Sequence, residues 1–149
     1  VDVVMAGRIQ VPGFERFEDP SRLPANLHYL GPLTQARVNG LLRTALLNVH
    51  TCEPEGFPNV FMQAWAQGRP SVSLGFDPEG LIAARGLGAV CDDDPDRFAA
   101  TVVDLLGDDA TRTAAGRRAL EVAAERFDPE AAVVRLEAVL EAVAEAVPR

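Results

Sequence analysis

Apolar positions in this chain fall into short β-branched runs separated by longer stretches with helical spacing. Residues 1–9 read as a buried strand ending at Gly7-Arg8. Residues 10–26 carry three Pro and two Phe without periodicity and read as a loop. Residues 26–30 form a short strand closed by Gly31-Pro32, and Thr34 is suited to cap a helix running to Ala45. Residues 46–51 are the next strand, 52–57 a loop and 58–67 a helix, with Pro58 at the first helical position and Gly68 just past the end. Residues 71–74 and 89–91 read as further strands, and helices are expected at about 95–106, 109–126 and 129–146.

One start signal occurs three times: Asp77-Pro78-Glu79, Asp94-Pro95-Asp96 and Asp128-Pro129-Glu130. In each, Asp caps, Pro fits the first turn and the next acid favours the positive end of the helix dipole. These acids are therefore read as structural. Strands alternating with helices predict an α/β fold with a mainly parallel sheet, whose ligand sites lie at the carboxyl ends of strands. The last helix carries Val133, Leu136, Leu140, Val143 and Val147 on one stripe. Burial against its own domain is the expectation for that stripe, with a dimer contact as the alternative.

The chain has 149 residues, which suits one domain with a hydrophobic core. Its net charge is −8, and all 14 basic residues are Arg. Such an acidic chain is a poor general binder of nucleic acid or anionic membranes. No apolar run approaches the ~20 residues of a membrane span, and no signal peptide is visible. Cys52 and Cys91 sit in apolar stretches without zinc-like spacing and read as reduced core thiols of a cytoplasmic protein. His28 and His50, on or beside strands, read as structural residues with satisfied hydrogen bonds, and Phe61 and Trp65, four apart on one helix face, as core. No GxGxxG fingerprint and no Walker A loop occurs.

The most informative stretch runs Glu55-Gly56-Phe57-Pro58-Asn59-Val60-Phe61-Met62-Gln63-Ala64-Trp65-Ala66-Gln67-Gly68-Arg69-Pro70-Ser71-Val72. It leads from an acid through a glycine turn onto a helix start, where free N–H groups attract phosphate. A carboxylate beside that spot can accept hydrogen bonds from sugar hydroxyls. The stretch resembles the signature of retaining GT-B glycosyltransferases of family 4, the "group 1" type. Their pattern has two Glu with seven residues between them, followed by A-x-A-x-G-x-P-V-V. Glu55 matches the first Glu, and Gly56, Phe57, Ala64, Ala66, Gly68, Pro70 and Val72 also match. The second Glu falls on Gln63, a departure. His28-Tyr29-Leu30-Gly31, Leu41-Leu42-Arg43-Thr44-Ala45, Asp77-Pro78-Glu79-Gly80-Leu81-Ile82 and Gly86-Leu87-Gly88 extend the likeness over nearly the whole chain.

The resemblance implies a Rossmann-like three-layer α/β domain, one half of a GT-B fold, that binds a nucleotide-diphosphate sugar. It implies transfer of the sugar with retention, without metal or further cofactor. Glu55 is then the catalytic-site carboxylate that holds hydroxyls of the donor sugar. Gly56 allows close approach of the donor. Asn59, Val60 and Phe61 offer backbone N–H groups to the diphosphate. Phe57 has two roles open to it, pocket wall or core, and core is the expectation. Gln63 keeps a carbonyl acceptor for the ribose but loses the charge, so its bond is weaker than a carboxylate's.

In the resembling family a basic pair that grips the diphosphate follows the domain's first strand. The present chain is expected to begin at the second strand, without that pair and without the N-terminal acceptor domain, and hence to be inactive alone. Expected partners are the donor, the missing domain and a second copy through the C-terminal helix; nucleic acid is not among them. The rival reading is a non-catalytic, degenerate transferase-like module for assembly or partner binding. A receiver-like domain is a third, weakened because Asp2 stands alone where an acidic pair is needed.

Overall fold

The computed structural model describes residues 1–9, 12–52 and 57–146. The chain divides into two compact units, Val1–Leu41 and Leu42–Arg149. In the first, β1 (Val3–Met5) pairs in parallel with β2 (Leu27–Tyr29), Val4 opposite His28. Between them the expected loop holds two short 3-10 turns, Glu15–Glu18 and Pro20–Arg22. Helix α1 (Gln35–Thr44) starts one residue after Thr34. The prediction of a buried first strand is corrected here. Paired among the described residues with β2 alone, β1 leaves Val3, Val4 and Met5 each about two-fifths exposed, at 42%, 46% and 39%.

The second unit holds a parallel sheet ordered β3 (Asn48–His50), β4 (Ser71–Ser73), β5 (Gly88–Val90). Helix α2 (Asn59–Trp65) connects β3 to β4, and α3 (Leu81–Arg85) connects β4 to β5. Then come α4 (Pro95–Gly107), α5 (Asp109–Arg126) and α6 (Pro129–Ala146). Every strand pairing among the described residues is parallel, so the α/β expectation holds, though in two ladders rather than one.

The central strand β4 is buried on both faces, as parallel strands under helices are. The two serines there differ in their hydrogen bonding. Ser71 Oγ accepts from Asn48 Nδ2 and from Trp65 Nε1, both at 3.1 Å. Ser73 Oγ has no partner among the described residues. The core joins Phe61 and Trp65 of α2 to Leu81, Ile82, Leu87, Ala119, Val122 and Ala123.

The helix starts obey the capping chemistry with one exception. Asp94 Oδ1 accepts from the N–H groups of Asp96 and Arg97, and Asp128 Oδ1 from that of Glu130. After Asp77, by contrast, Pro78–Gly80 form only a 3-10 turn, because Glu79 and Gly80 are left-handed (φ 52° and 70°). Asp77 reaches across this turn and caps α3 through Ile82 and Ala83.

The stripe on α6 is not buried as expected. Val133, Leu136, Leu140 and Val143 are 55–59% exposed. Val147, assigned to the same stripe, lies outside the described residues. Cys91 is buried but Cys52 is exposed, which corrects the reading of both as core thiols. No helix among the described residues is long and apolar enough to cross a membrane.

Candidate functional site

Three strand ends meet at the carboxyl edge of the second unit's sheet. β3 ends at His50 and runs into exposed Thr51 and Cys52. Glu55 and Gly56, the carboxylate and glycine expected to hold the donor sugar, lie outside the described residues. The chain is described again from Phe57. Its ring is half-buried and packs edge-on against Phe127 and Trp65, with centroids at 5.4 and 6.3 Å. Phe57 thus packs against the core cluster.

Pro58 stands just before α2, with φ −65° and ψ 122°, rather than inside it. Asn59 is exposed and Val60 half-buried at the rim of the core. Phe61 is fully buried, and its N–H donates to the Pro58 carbonyl at 3.1 Å. That bond takes one of the three backbone donors expected to face a diphosphate. Gln63 is half-buried on the same helix.

The far end of α2 is closed as the glycine predicted. Gly68 has φ 65°, its N–H donates to Trp65, and the Arg69 N–H reaches back to Ala64 at 2.9 Å. This Schellman closure needs a residue that tolerates the left-handed region.

The carboxyl edge also holds features that sequence reasoning missed. His50 is 8% exposed, its ring centroid is 4.8 Å from that of Phe61 and 6.1 Å from that of Phe76. Burial lowers its pKa, which favours a neutral imidazole. Its Nδ1 has no hydrogen-bond partner among the described residues, contrary to the expectation of a satisfied histidine. His50 stands in register with Ser73, whose hydroxyl is also unpartnered, so the two side chains share one face of adjacent strands.

After β5, Asp92 and Asp93 are both left-handed (φ 53° and 60°). A Cβ on Gly75 would come within 1.9 Å of Asp93 Oδ1, so the carboxylate rests on the backbone at the end of β4. Asp is among the few residues that enter this region at modest cost, which was the available signal. His28, in the first unit, is exposed beside Asp2 at 3.1 Å. Among the described residues, no group of three or more His, Cys, Asp or Glu is placed to hold a metal ion.

A parallel α/β sheet with a loop-to-helix element at its carboxyl edge is the arrangement of a Rossmann-like nucleotide-binding half. Residues 1–108 match the family described as Glycosyl transferases group 1, and the chain belongs to that family. Its fold matches the crystal structure of Anabaena HepE in complex with UDP-glucose, with a TM-score of 0.69 and 20% identity over 99% of this chain. A looser superposition, at 0.48 and 22% identity over 85% of this chain, is found with AviGT4, a glycosyltransferase involved in avilamycin A biosynthesis. The chain spans 41% of each of those two structures. No curated protein gives a significant match. At these identities the likeness to HepE is one of fold, that of a GT-B glycosyltransferase.

Proposed function

We propose that this chain is the nucleotide-sugar-binding part of a retaining glycosyltransferase that moves a sugar from a nucleotide-diphosphate donor to an acceptor. The observation that carries the reading is family membership across residues 1–108, a span that contains the whole stretch from Glu55 to Val72. In this proposal Glu55 orients the donor sugar and Gln63 contacts the ribose. The amides of Asn59 and Val60, at the start of α2, lie toward the diphosphate. Departure of the diphosphate is favoured by donors already aimed at its charge. No metal is assigned a part. The acceptor side of the cleft belongs to a second domain in GT-B folds, so the 149-residue chain alone is expected to transfer no sugar.

The test is an NMR titration of the chain with UDP, GDP, ADP and their sugar conjugates, beginning with UDP-glucose because HepE was solved with it. Saturable shifts at the amides of Gly56 to Phe61, selective for one base, are expected. Gln63→Glu restores the charge-assisted bond and is expected to tighten nucleotide binding roughly tenfold. No shift with any ligand in either protein would refute the donor site. It would leave the non-catalytic module, which Gln63 in place of Glu already favours.

A further inference from the structure

Helix α2 is uncharged. Its residues, Asn59–Trp65, include no Asp, Glu, Lys or Arg, although the chain holds 22 acidic side chains, so the neutrality is local. At about 100° of rotation per residue, Phe61, Ala64 and Trp65 fall on one side of the helix, and all three are buried. Asn59 and Gln63 fall on the other side, one turn apart, Asn59 exposed and Gln63 half-buried. The polar face of α2 therefore carries two carboxamides, and no acidic side chain of the helix stands in for the carboxylate that Gln63 replaces.

That exchange changes what a ribose meets. A ribose offers vicinal 2′- and 3′-hydroxyls, each both a donor and an acceptor. A carboxylate has only acceptors and takes the protons of both hydroxyls with its two oxygens. Loss of the 2′-hydroxyl then leaves a charged, partly desolvated oxygen without its donor. A site built in that way rejects the analogue that lacks the hydroxyl. A carboxamide accepts from one hydroxyl through its oxygen and donates to the other through its NH₂, and both bonds are neutral. Without the 2′-hydroxyl it keeps the 3′ bond, and its other end turns to water, because Gln63 is only half-buried. A neutral hydrogen bond is worth about 2- to 10-fold in affinity and a charge-assisted one about 10- to 100-fold.

We propose that Gln63 is a specificity-determining residue that admits 2′-deoxyribose as well as ribose, so that the donor class includes deoxyribonucleoside diphosphate sugars. The inference rests on the donor-site reading above, in which Gln63 meets the ribose, and adds to it the pentose of the nucleotide. The base is set elsewhere, since the 2′ position is read from α2 whatever base is attached.

The test is an NMR titration of the 149-residue chain with three matched pairs: UDP and 2′-deoxy-UDP, GDP and 2′-deoxy-GDP, ADP and 2′-deoxy-ADP. The pair whose ribonucleotide binds is carried forward to the variants. In the parent the ribonucleotide is expected to bind less than about fivefold tighter than its deoxy form. In Gln63→Glu the ribonucleotide tightens and its preference widens beyond about tenfold. In Gln63→Ala the ribonucleotide weakens and the preference falls to about one. Trp65 fluorescence checks that each variant is folded, and the parent's own ratio decides should a variant fail to fold. A larger preference for ribose in the parent would overturn the inference, as would an unchanged ratio in folded Gln63→Glu; both outcomes leave the donor site standing. Absence of binding by every nucleotide would refute the donor site itself, and this inference with it.

Discussion

Gly116 offers the sharpest test of how α5 is seated. Replacing it with Ala places a Cβ 2.3 Å from the Gly68 carbonyl oxygen, 3.3 Å from the Gly68 carbonyl carbon and 3.5 Å from Pro70 Cδ. Carbon–oxygen contacts settle near ~3.4 Å, so helix and turn must part by about 1 Å. The obstacle is backbone held from both sides. The turn's N–H groups are tied into the end of α2, and Pro70 leads directly into the buried strand β4. Overpacking costs about 1–3 kcal/mol, and a clash with fixed backbone belongs at the upper end. Ala in place of a helical Gly returns about 1 kcal/mol. The net expectation is a loss of about 2 kcal/mol, a fall in Tm of roughly 4–8 °C for a chain of this size. Gly107, the last residue of α4, is the control, because a Cβ there meets nothing within 4 Å. Gly107→Ala is expected to be neutral or to stabilise by up to about 1 kcal/mol. Urea and thermal unfolding can be followed by the fluorescence of Trp65, the sole tryptophan, fully buried in the second unit. A Gly116→Ala protein as stable as the parent, or as stable as Gly107→Ala, would show that the contact does not limit the approach of α5.

Three further outcomes are expected. Burial lowers the pKa of His50 below 6.5, so the unfolded chain binds this proton first as pH falls. Its stabilising share is complete above pH 6.5 and is lost as pH drops through the folded pKa, no more steeply than about 1.4 kcal/mol per pH unit. Urea midpoints taken from pH 6.5 down towards the carboxylate range should show this slope in the parent and lose it in His50→Asn; an unchanged slope would refute the assignment. Asp94→Ala removes the acceptor of two N–H groups at the start of α4 and should cost about 1 kcal/mol in urea unfolding, with Asp94→Asn retaining most of it. Arg118 donates to the Gly86 carbonyl through Nε and Nη2 at 3.0 and 2.8 Å; Arg118→Met keeps the stem but should lose about 2 kcal/mol, and no loss would mean that water replaces the pair.

What could be read ahead of the structure was local chemistry. Asp94 and Asp128 cap because the side-chain oxygen and the N–H groups it accepts are two or three residues apart. The left-handed Gly68 and the parallel alternation of strands with helices were legible for the same reason. Where the reading failed, the deciding neighbour was distant or missing. Periodicity identifies the apolar stripe of α6 but not what covers it, and that stripe is more than half exposed. The apolar run at β1 marked a strand correctly, yet pairing with β2 alone among the described residues left it open. Cys52 follows an apolar strand but lies past its end, in solvent.

The candidate donor site shows both limits in one short helix. On α2, Phe61 and Trp65 are core, and Trp65 also ties α2 to Ser71 of the central strand. Asn59 and Gln63 lie on the same seven residues but outside that core. A substitution at Phe61 would therefore unseat the helix and remove any ligand site with it, whether or not Phe61 meets a ligand. Changes at Asn59 and Gln63 leave that core cluster untouched, which is why Gln63→Glu, rather than any change to the aromatic residues, is the informative variant on this helix for the donor.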